Sequence, residues 1–517
     1  MTEKNIPEIQ KERYKALRRA IAERVLVLDG SMGVMIASLG LSESQFRGSR
    51  FVRHASPLRG NNDVLNITRP DDIRAIHRAY LRAGADIIET NTFNSNAISQ
   101  AEYGTDAYVA ELNRLGVELA RAEAVAMTVE TPWRPRFVAG SIGPTPLAAS
   151  LSSSSEDVSA RAVDFDTLAA AAYGQVRALV LAGTDMLLLE TAFDALNLKA
   201  MLHGVERALS ECGADTPVAV SITVSETSGR MLSGHDARAV LALVSHVRPV
   251  AVGFNCSAGI HHLEGFVREF ADISPYPVLF YPNAGLPDAE GRYADTPALF
   301  AERMEPLLRD GMLNVVGGCC GTTPEHIAEI NKKIGEARLH KPSAETTPWL
   351  ASAEAFEDNA RFINVGERCN VAGSRKFLTL IKEQDYDGAL AVARKQVADG
   401  AMMLDVNLDD GMLDTVSEMR KLLRYFSSDA AVMSVPWMID TSSESVMEEA
   451  LKNTPGRPVV NSISLKHGEE EFLRQARMIR AYGAAVVVMA FDEQGQADTL
   501  ERRKEICGRS YRLLTEK

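Results

Sequence analysis

Three of the six cysteines are spaced so that they could bind one metal ion. Cys319 and Cys320 are adjacent in the run GGCCG, and Cys256 ends an earlier apolar run, GFNC. Thiolates are soft ligands that zinc prefers, and a catalytic zinc site has three protein ligands and one open position. Adjacent side chains point to opposite faces of a regular strand, so the glycines around the pair must relax the backbone for both sulfurs to reach one ion. Two alternatives stay open from the residues alone: a disulfide between the adjacent cysteines, or three ordinary buried cysteines.

Carboxylates and small polar residues follow the apolar runs of the same part of the chain. The first run ends in Asp29, Gly30 and Ser31, and the fourth ends in Glu190. A single carboxylate after a strand is often only a helix cap or a turn residue. Polar residues after nearly every run are harder to explain in that way. The carboxyl ends of barrel strands meet at one rim, where active sites form, so we predict an active site there.

The spacing of the apolar runs predicts the fold class, α/β with a (β/α)8 barrel. Short β-branched runs alternate with long amphipathic stretches, which is typical of βα units around a parallel sheet. The count and the even spacing favour a closed barrel over an open doubly wound sheet. The eight predicted strands are Val25–Leu28, Asp86–Glu89, Phe137–Ala139, Met186–Leu189, Val218–Val224, Ala251–Phe254, Val278–Tyr281 and Leu313–Val316.

The composition changes after the eighth run. Residues 339–360 contain two prolines, many alanines and little apolar periodicity, so we predict a linker there. A second βα series follows but supplies only five strands, and we expect a second (β/α) barrel that is incomplete and truncated. The predicted domains are an N-terminal helical extension (1–20), the first barrel (21–338), the linker and the second barrel (361–517). The strands predicted for the second barrel are Phe362–Val365, Met402–Val406, Trp437–Ile439, Val459–Ser462 and Ala485–Phe491.

The bulk composition excludes several classes of protein. The formal net charge is −13, which argues against binding to nucleic acid or to membrane surfaces, because phosphate groups attract positive charge. No apolar run approaches the ~20 residues of a membrane span, and the charged N-terminus lacks the apolar core of a secretory signal. Six cysteines in 517 residues do not make a disulfide scaffold, so we expect a cytoplasmic protein.

Residues 24–332 resemble the homocysteine S-methyltransferase family. The resemblance lies in the GFNC and GGCCG runs together with the segments DGSMG, GADIIETNTF, SIGPT and ETAFDALNLKA. It implies that Cys256, Cys319 and Cys320 hold one zinc ion and that the sulfur of homocysteine takes the open position. It further implies that Asp29 and Glu190 hold the ammonium group of homocysteine. We expect backbone N–H groups around Gly30 and Ser31 to meet its carboxylate.

The second part of the chain resembles the pterin-binding domain of the cobalamin-dependent methionine synthases. The segments that carry this resemblance are GERCN, DVNLDDGMLD, MIDT, NSIS and AFDEQGQADT. The amide-and-amino edge of a pterin suits carboxylate and amide side chains. Cys369 stands where this family usually has threonine, and we interpret it as a neutral variation. The implied pterin-binding residues are Glu367, Asn370, Asp405, Asn407, Asp440 and Asn461.

The order of the two segments implies a methionine synthase reaction. In that reaction 5-methyltetrahydrofolate supplies the methyl group, cobalamin carries it, and homocysteine accepts it to give methionine. None of the ten histidines has an aspartate two residues before it, so the family's cobalamin motif is missing and a separate module or protein must bind cobalamin. One alternative is a homocysteine methyltransferase that uses betaine or S-methylmethionine. The other is a zinc- and pterin-binding scaffold without turnover.

Overall fold

The apolar runs of the first part of the chain form a closed parallel sheet. The computed structural model describes residues 6–289, 291–344, 350–356 and 362–516, and within them this sheet has eight strands in the order β1-β8-β7-β6-β5-β4-β3-β2. A parallel bridge between Leu28 and Ile87 joins β1 to β2, so the predicted (β/α)8 barrel is confirmed and the open sheet is wrong. The strands are β1 (Leu26–Val27), β2 (Ile87–Glu89), β3 (Phe137–Ile142), β4 (Met186–Ala192), β5 (Val218–Ile222), β6 (Ala251–Cys256), β7 (Val278–Pro282) and β8 (Val315–Val316).

Helices surround this barrel, and capping residues set the ends of several of them. Asp194 begins a helix by accepting hydrogen bonds from the backbone N–H groups of Leu196 and Asn197, and Gly213 ends it in the left-handed conformation. No helix in the described ranges is long and apolar enough to cross a membrane. The helices are α1 (Glu8–Glu23), α2 (Met32–Ser38), α3 (Glu43–Arg47), α4 (Leu65–Thr68), α5 (Pro70–Ala83), α6 (Ala97–Ala101), α7 (Val109–Glu130), α8 (Phe165–Ala182), α9 (Ala195–Cys212), α10 (Ala237–Val244), α11 (Ile260–Ile273), α12 (Pro297–Arg309) and α13 (Pro324–Lys333).

The N-terminal helix α1 covers the end of the barrel opposite the predicted active site. Leu17 and Ile21 are buried against the strands, and Arg13 makes an ion pair with the buried carboxylate of Asp185 at 2.6 Å. The predicted N-terminal extension, residues 1–20, overlaps this helix, and its first five residues lie outside the described residues. The helix therefore belongs to the core of the barrel.

Residues 350–356 of the predicted linker form a hairpin, while residues 339–344 belong to no helix or strand. The hairpin strands β9 (Leu350–Ala351) and β10 (Ala355–Phe356) pair antiparallel, while residues 345–349 and 357–361 lie outside the described residues. Ala351 bridges Arg457 of the second domain, and the carbonyl of Ala353 accepts a hydrogen bond from Asp236 of the first domain. Two-residue strands are too short to produce a periodic pattern, so the sequence gives no sign of them.

The second domain is an open parallel sheet. In the part of the chain that the structure describes, this sheet has five strands in the order β11-β12-β13-β14-β15. The first strand begins later than predicted: Phe362 is 88% exposed, and pairing starts where Val365 faces Met403. The elements are β11 (Val365–Asn370), β12 (Met403–Asn407), β13 (Trp437–Asp440), β14 (Val459–Ile463), β15 (Ala485–Val488), the hairpin β16 (Phe491–Asp492) and β17 (Gly495–Gln496), and the helices α14 (Arg375–Lys382), α15 (Tyr386–Ala398), α16 (Thr415–Phe426), α17 (Glu444–Lys452), α18 (Glu469–Ala481) and α19 (Leu500–Glu516).

The two domains share a packed interface with a buried cation. The Nζ atom of Lys199, on α9, donates hydrogen bonds to the carbonyls of Leu451 and Thr454 at 3.0 and 2.9 Å. Burial lowers the pKa of Lys199 to about 7. Beside it, the ring of His203 stacks on Tyr482 with 4.6 Å between centroids. The interface thus combines aromatic packing with hydrogen bonds to the carboxyl end of α17.

Candidate active site

The three cysteines predicted to bind a metal converge at the rim of the first barrel. Cys256 is the last residue of β6, and Cys319 and Cys320 follow β8. All three are free thiols, and their sulfur atoms lie within 4.8 Å of one another. The Sγ of Cys320 is 3.9 Å from that of Cys256 and 4.0 Å from that of Cys319. Sulfur ligands of a tetrahedral zinc, with bonds of about 2.3 Å, are separated by about 3.8 Å, so the cluster fits such an ion with one position open.

Local backbone contacts bring the two adjacent cysteines to one point. The N–H of Cys319 still donates to the carbonyl of Pro282, at 2.8 Å, as in a strand. The N–H of Cys320 donates instead to the side-chain oxygen of Asn283, at 3.1 Å. Gly321 then takes a φ of +82°, which side chains of L residues rarely adopt. Regular pairing therefore ends between the two cysteines, and the alternation of side chains ends with it.

The three thiols share hydrogen bonds and therefore titrate differently. Hydrogen bonds from Cys256 and Cys319 lower the pKa of Cys320 to about 3. Hydrogen bonds within the same cluster, together with burial, raise the pKa of Cys319 well above its ordinary value. One thiolate is therefore stable in the cluster, and further deprotonation requires a compensating positive charge.

Buried carboxylates lie beside the cysteines. Glu89 and Glu190 line a cavity of 260 Å³ together with the three sulfurs. Asp29 is 2% exposed, and its Oδ2 accepts the backbone N–H of Glu89 at 3.0 Å. Glu190 accepts a hydrogen bond from the hydroxyl of Ser141. Among the described residues, Oδ1 of Asp29 and Oε1 of Glu89 have no hydrogen-bond donor. Glu89 lines the cavity, so its oxygen is an acceptor that a ligand can use, whereas Asp29 is not among the residues that line it.

The pKa values of these three carboxyl groups are all raised, because burial makes the ionised form of each group unfavourable. Burial raises the pKa of Asp29 well above its ordinary value, and the charge of Glu190 adds to this effect. Burial, then the charges of Glu190 and Asp29, raise the pKa of Glu89 in the same way. Burial raises the pKa of Glu190 to about 7. A cation in the cavity would reverse these shifts, because it stabilises the ionised carboxylates.

Gly30 and Ser31, predicted to meet the substrate carboxylate, also line this cavity. The N–H of Ser31 already donates to Oγ1 of Thr322, at 3.2 Å, and its side chain caps α2 by accepting the N–H of Val34. A hydrogen bond from the N–H of Ser31 to a ligand would therefore replace an existing one. The role of these two residues stays a prediction.

The residues predicted to bind a pterin all lie within the strands β11, β12, β13 and β14 of the open sheet. The side-chain amide of Asn370 donates to Oδ2 of Asp405 at 2.9 Å and to Oδ2 of Asp440 at 3.0 Å. The amide of Asn407 donates to the same oxygen of Asp440 at 3.0 Å. Four of the six predicted residues thus form one hydrogen-bonded network across three strands. Asn461 lies opposite Asp440 in the strand register.

Burial also acts on the carboxyl groups of this network. It raises the pKa of Asp405 to about 6 and raises the pKa of Asp440. Glu367 is exposed, yet its charge contributes to both shifts, which places it near the network. The face is therefore polar, partly open to solvent and already hydrogen-bonded within itself.

Sequence reasoning missed three residues of the first site. Glu89 is the last residue of β2, so its position at the end of a strand gave the same indication as that of Asp29. Tyr281 is buried on β7 and lines the cavity. From the sequence, an aromatic residue within a strand is predicted to belong to the hydrophobic core. Asn255 donates from Nδ2 to Oγ1 of Thr191 at 2.8 Å and lies 3.9 Å from the sulfur of Cys319. Asn255 directly precedes Cys256, and this position could have indicated that it lies near the cysteines.

Comparisons with known proteins match two parts of the chain. The homocysteine S-methyltransferase family model matches residues 26–334, and the pterin binding enzyme model matches residues 366–517. Among solved structures, the chain is similar to the homocysteine methyltransferase MmuM from Escherichia coli. The metallated form is 24% identical, with 62% of this chain and 99% of that chain covered and a TM-score of 0.48. The oxidized form is 23% identical, with 60% and 96% covered and a TM-score of 0.47.

The first family model covers more than half of the chain and includes all three cysteines of the cluster. The second includes every residue of the polar network on the open sheet. The chain is therefore a methyltransferase that belongs to the homocysteine S-methyltransferase family and carries a pterin-binding domain.

Proposed function

We propose that the first barrel methylates the sulfur of homocysteine to give methionine, with one zinc ion held by Cys256, Cys319 and Cys320. The observation that carries the proposal is the convergence of three free sulfurs, within 4.8 Å of one another, on a cavity that also contains buried carboxylates. Zinc, when bound there, supplies the positive charge that keeps a substrate thiol ionised at neutral pH. Three protein ligands leave one position of a tetrahedral ion for that sulfur.

The carboxylates select the amino-acid end of the substrate. Asp29, Glu89 and Glu190 carry more negative charge than the buried cavity tolerates alone, as their raised pKa values show. An ammonium group offers three N–H donors, and two carboxylate oxygens in this group lack a donor within the described residues. Binding of the ammonium therefore pairs the charges and fixes homocysteine with its sulfur toward the cysteines.

We further propose that the methyl group comes from 5-methyltetrahydrofolate bound on the open sheet. The network of Asn370, Asp405, Asn407 and Asp440 offers both acceptors and donors to the amide-and-amino edge of a pterin. Cobalamin would carry the methyl group between the two sites. In this proposal a separate module or protein holds the cobalamin.

The experiment is an assay of methionine formation from homocysteine and free methylcobalamin, with reduced, zinc-loaded protein and the Cys320→Ala variant as control. Methionine from the wild type and none from the variant supports the zinc-thiolate site. A wild-type protein that binds zinc and homocysteine but forms no methionine contradicts cobalamin as donor. Betaine and S-methylmethionine are then tested in the same assay, and failure of all three donors supports a scaffold without turnover.

A further inference from the structure

The wall of the cavity beside the cysteines contains a buried hydroxyl group without a partner. Tyr281 is 1% exposed and lines this cavity. Among the described residues, no group lies in hydrogen-bonding geometry to its hydroxyl. Most buried polar side-chain atoms in folded proteins have such a partner, so an exception in the wall of a cavity indicates that a ligand supplies it.

The strand register turns the side chain of Tyr281 toward the inside of the barrel. Tyr281 on β7 pairs with Asn255 on β6, so the two side chains lie on the same face of the sheet. The amide of Asn255 lies 3.9 Å from the sulfur of Cys319, which lines the cavity. The ring of Tyr281 also belongs to the hydrophobic cluster inside the strands, together with Leu28 and Leu279. Strand pairing and ring packing therefore hold this side chain in place, and its hydroxyl stays available.

The same wall contains acceptors that suit a cation. Oε1 of Glu89 is buried without a donor among the described residues, and Glu190 also lines the cavity. The volume of 260 Å³ is below the ~300–1,000 Å³ typical of drug-sized ligands, so a small molecule inside reaches several walls at once. An ammonium group has three N–H donors, and a phenol oxygen can accept a hydrogen bond as well as donate one. Two carboxylates and one hydroxyl thus supply an acceptor for each N–H.

We propose that Tyr281 is a specificity-determining residue whose hydroxyl oxygen accepts one N–H of the substrate ammonium group, beside the carboxylates of Glu89 and Glu190. The inference rests on the proposed function, since it assumes an amino-acid thiol in this cavity. A thiol without the amino group leaves the hydroxyl and the carboxylates unpaired. A site that hydrogen-bonds a polar group of its substrate rejects an analogue that lacks this group. Tyr281 thereby selects homocysteine over thiols of the same length.

The test compares the binding of two thiols to zinc-loaded, reduced protein by calorimetric titration. Homocysteine carries the ammonium group, and 4-mercaptobutanoate is the same chain without it. Tyr281→Phe keeps the ring and removes only the oxygen. We expect the Kd for homocysteine to rise at least about tenfold in the variant, because a hydrogen bond to a charged group is lost. The Kd for 4-mercaptobutanoate should change by less than about twofold, because this ligand has no N–H to donate.

The stability of the unliganded protein gives a second readout. A buried hydroxyl without a partner does not stabilise the fold, so Tyr281→Phe should be at least as stable as the wild type in urea. Tyr14→Phe is the matched control. Tyr14 is also buried, on α1 at the opposite end of the barrel, and its hydroxyl accepts a hydrogen bond from Thr216 at 2.8 Å. The control variant should lose stability and keep both dissociation constants.

The two readouts separate failure of the inference from failure of the proposed function. A zinc-loaded wild-type protein that binds no homocysteine overturns the proposed function itself. Unchanged homocysteine affinity in Tyr281→Phe, with a wild type that binds homocysteine, overturns the inference alone. An equal loss of affinity for both thiols would mean that the hydroxyl does not recognise the ammonium group, which also overturns it. A Tyr281→Phe variant that is less stable than the wild type without ligand would give the hydroxyl a partner within the protein, with the same consequence.

Discussion

Both domains carry carboxylates on parallel strands of a sheet, but the carboxylates of the two sites differ in their hydrogen-bond partners. In the closed barrel, oxygens of Asp29 and Glu89 are buried and lack a donor among the described residues. On the open sheet, Asp405 and Asp440 accept hydrogen bonds from the amides of neighbouring asparagines. The first group of carboxylates therefore keeps acceptors without a donor, whereas the second group is already hydrogen-bonded, so we expect a ligand there to bind by exchanging hydrogen bonds.

The difference follows from the closure of the sheet. A closed barrel removes water from its rim and makes an unpaired charge costly, so a charged ligand gains affinity and selectivity there. An open sheet leaves its polar end in contact with solvent, where neutral hydrogen bonds dominate. The comparison predicts that substitutions in the first site have large effects and that those in the second have small ones.

The largest effect is expected from loss of a sulfur ligand. Cys319→Ala leaves two protein ligands, so zinc affinity and the rate of methionine formation should both fall by at least about a thousandfold. Metal analysis after dialysis and the methionine assay measure these losses. Pterin binding on the second sheet should be unchanged. Zinc retained at one ion per chain in this variant would contradict the proposed ligand set.

The buried lysine that joins the two domains should make stability depend on pH. Lys199 has a pKa of about 7 in the folded protein, below the ordinary value of 10.5. Between these values the unfolded chain binds more protons than the folded one, so stability rises with pH. Relative to Lys199→Met, the wild-type free energy of unfolding should rise by on the order of 2 kcal/mol from pH 7 to pH 9.

Urea unfolding of both proteins at a series of pH values measures this difference. His246 also lies in the field of Lys199 but is present in both proteins, so its titration largely cancels. A difference that stays flat over this range would show that the lysine keeps its proton in the interface, stabilised by the carbonyls that it contacts.

A substitution among the buried carboxylates should weaken homocysteine binding specifically. Glu190→Gln removes one negative charge from the ammonium site but keeps the size of the side chain. We expect the KM for homocysteine to rise by about tenfold to a hundredfold, with a smaller change in kcat. Steady-state kinetics measures both constants. An unchanged KM would remove Glu190 from the ammonium site and leave Asp29 and Glu89 as its candidates.

The second site should show a weaker effect that depends on pH. Asp405 has a pKa raised to about 6, so its carboxylate is ionised above that pH, where we expect it to accept hydrogen bonds from a pterin. Affinity for 5-methyltetrahydrofolate should fall as the pH is lowered through about 6, and Asp405→Asn should abolish that dependence and weaken binding by about tenfold at pH 8. Calorimetric titration measures the affinities. The same pH dependence in the variant would assign the titration to another group.

Chain order was sufficient to predict which strand ends meet in the structure, whereas the roles of the residues there stay predictions. Strand runs and the residues that follow them were sufficient to place the cysteines and Asp29 at one rim, because parallel strands bring their carboxyl ends together. Tyr281 could not be predicted in this way, because a buried aromatic residue within a strand is usually part of the core. The first strand of the second sheet was predicted to begin too early, at Phe362. It begins at Val365, because pairing with the neighbouring strand, rather than local hydrophobicity, determines where it starts.

Cys369 offers the smallest and most local test of the comparison. It lies on β11 between two predicted pterin-binding residues, yet it is fully buried and accepts a hydrogen bond from the amide of Gln396 at 3.1 Å. Its side chain is therefore buried in the core, and among the described residues it makes no hydrogen bond to the polar network. Cys369→Thr places a hydroxyl of similar size beside the same amide, so stability should change by less than about 1 kcal/mol. Pterin affinity should be unaffected. Urea unfolding and pterin titration check both statements, and a several-fold loss of affinity would mean that the core behind the open sheet shapes the pterin site, as the closed barrel shapes the first site.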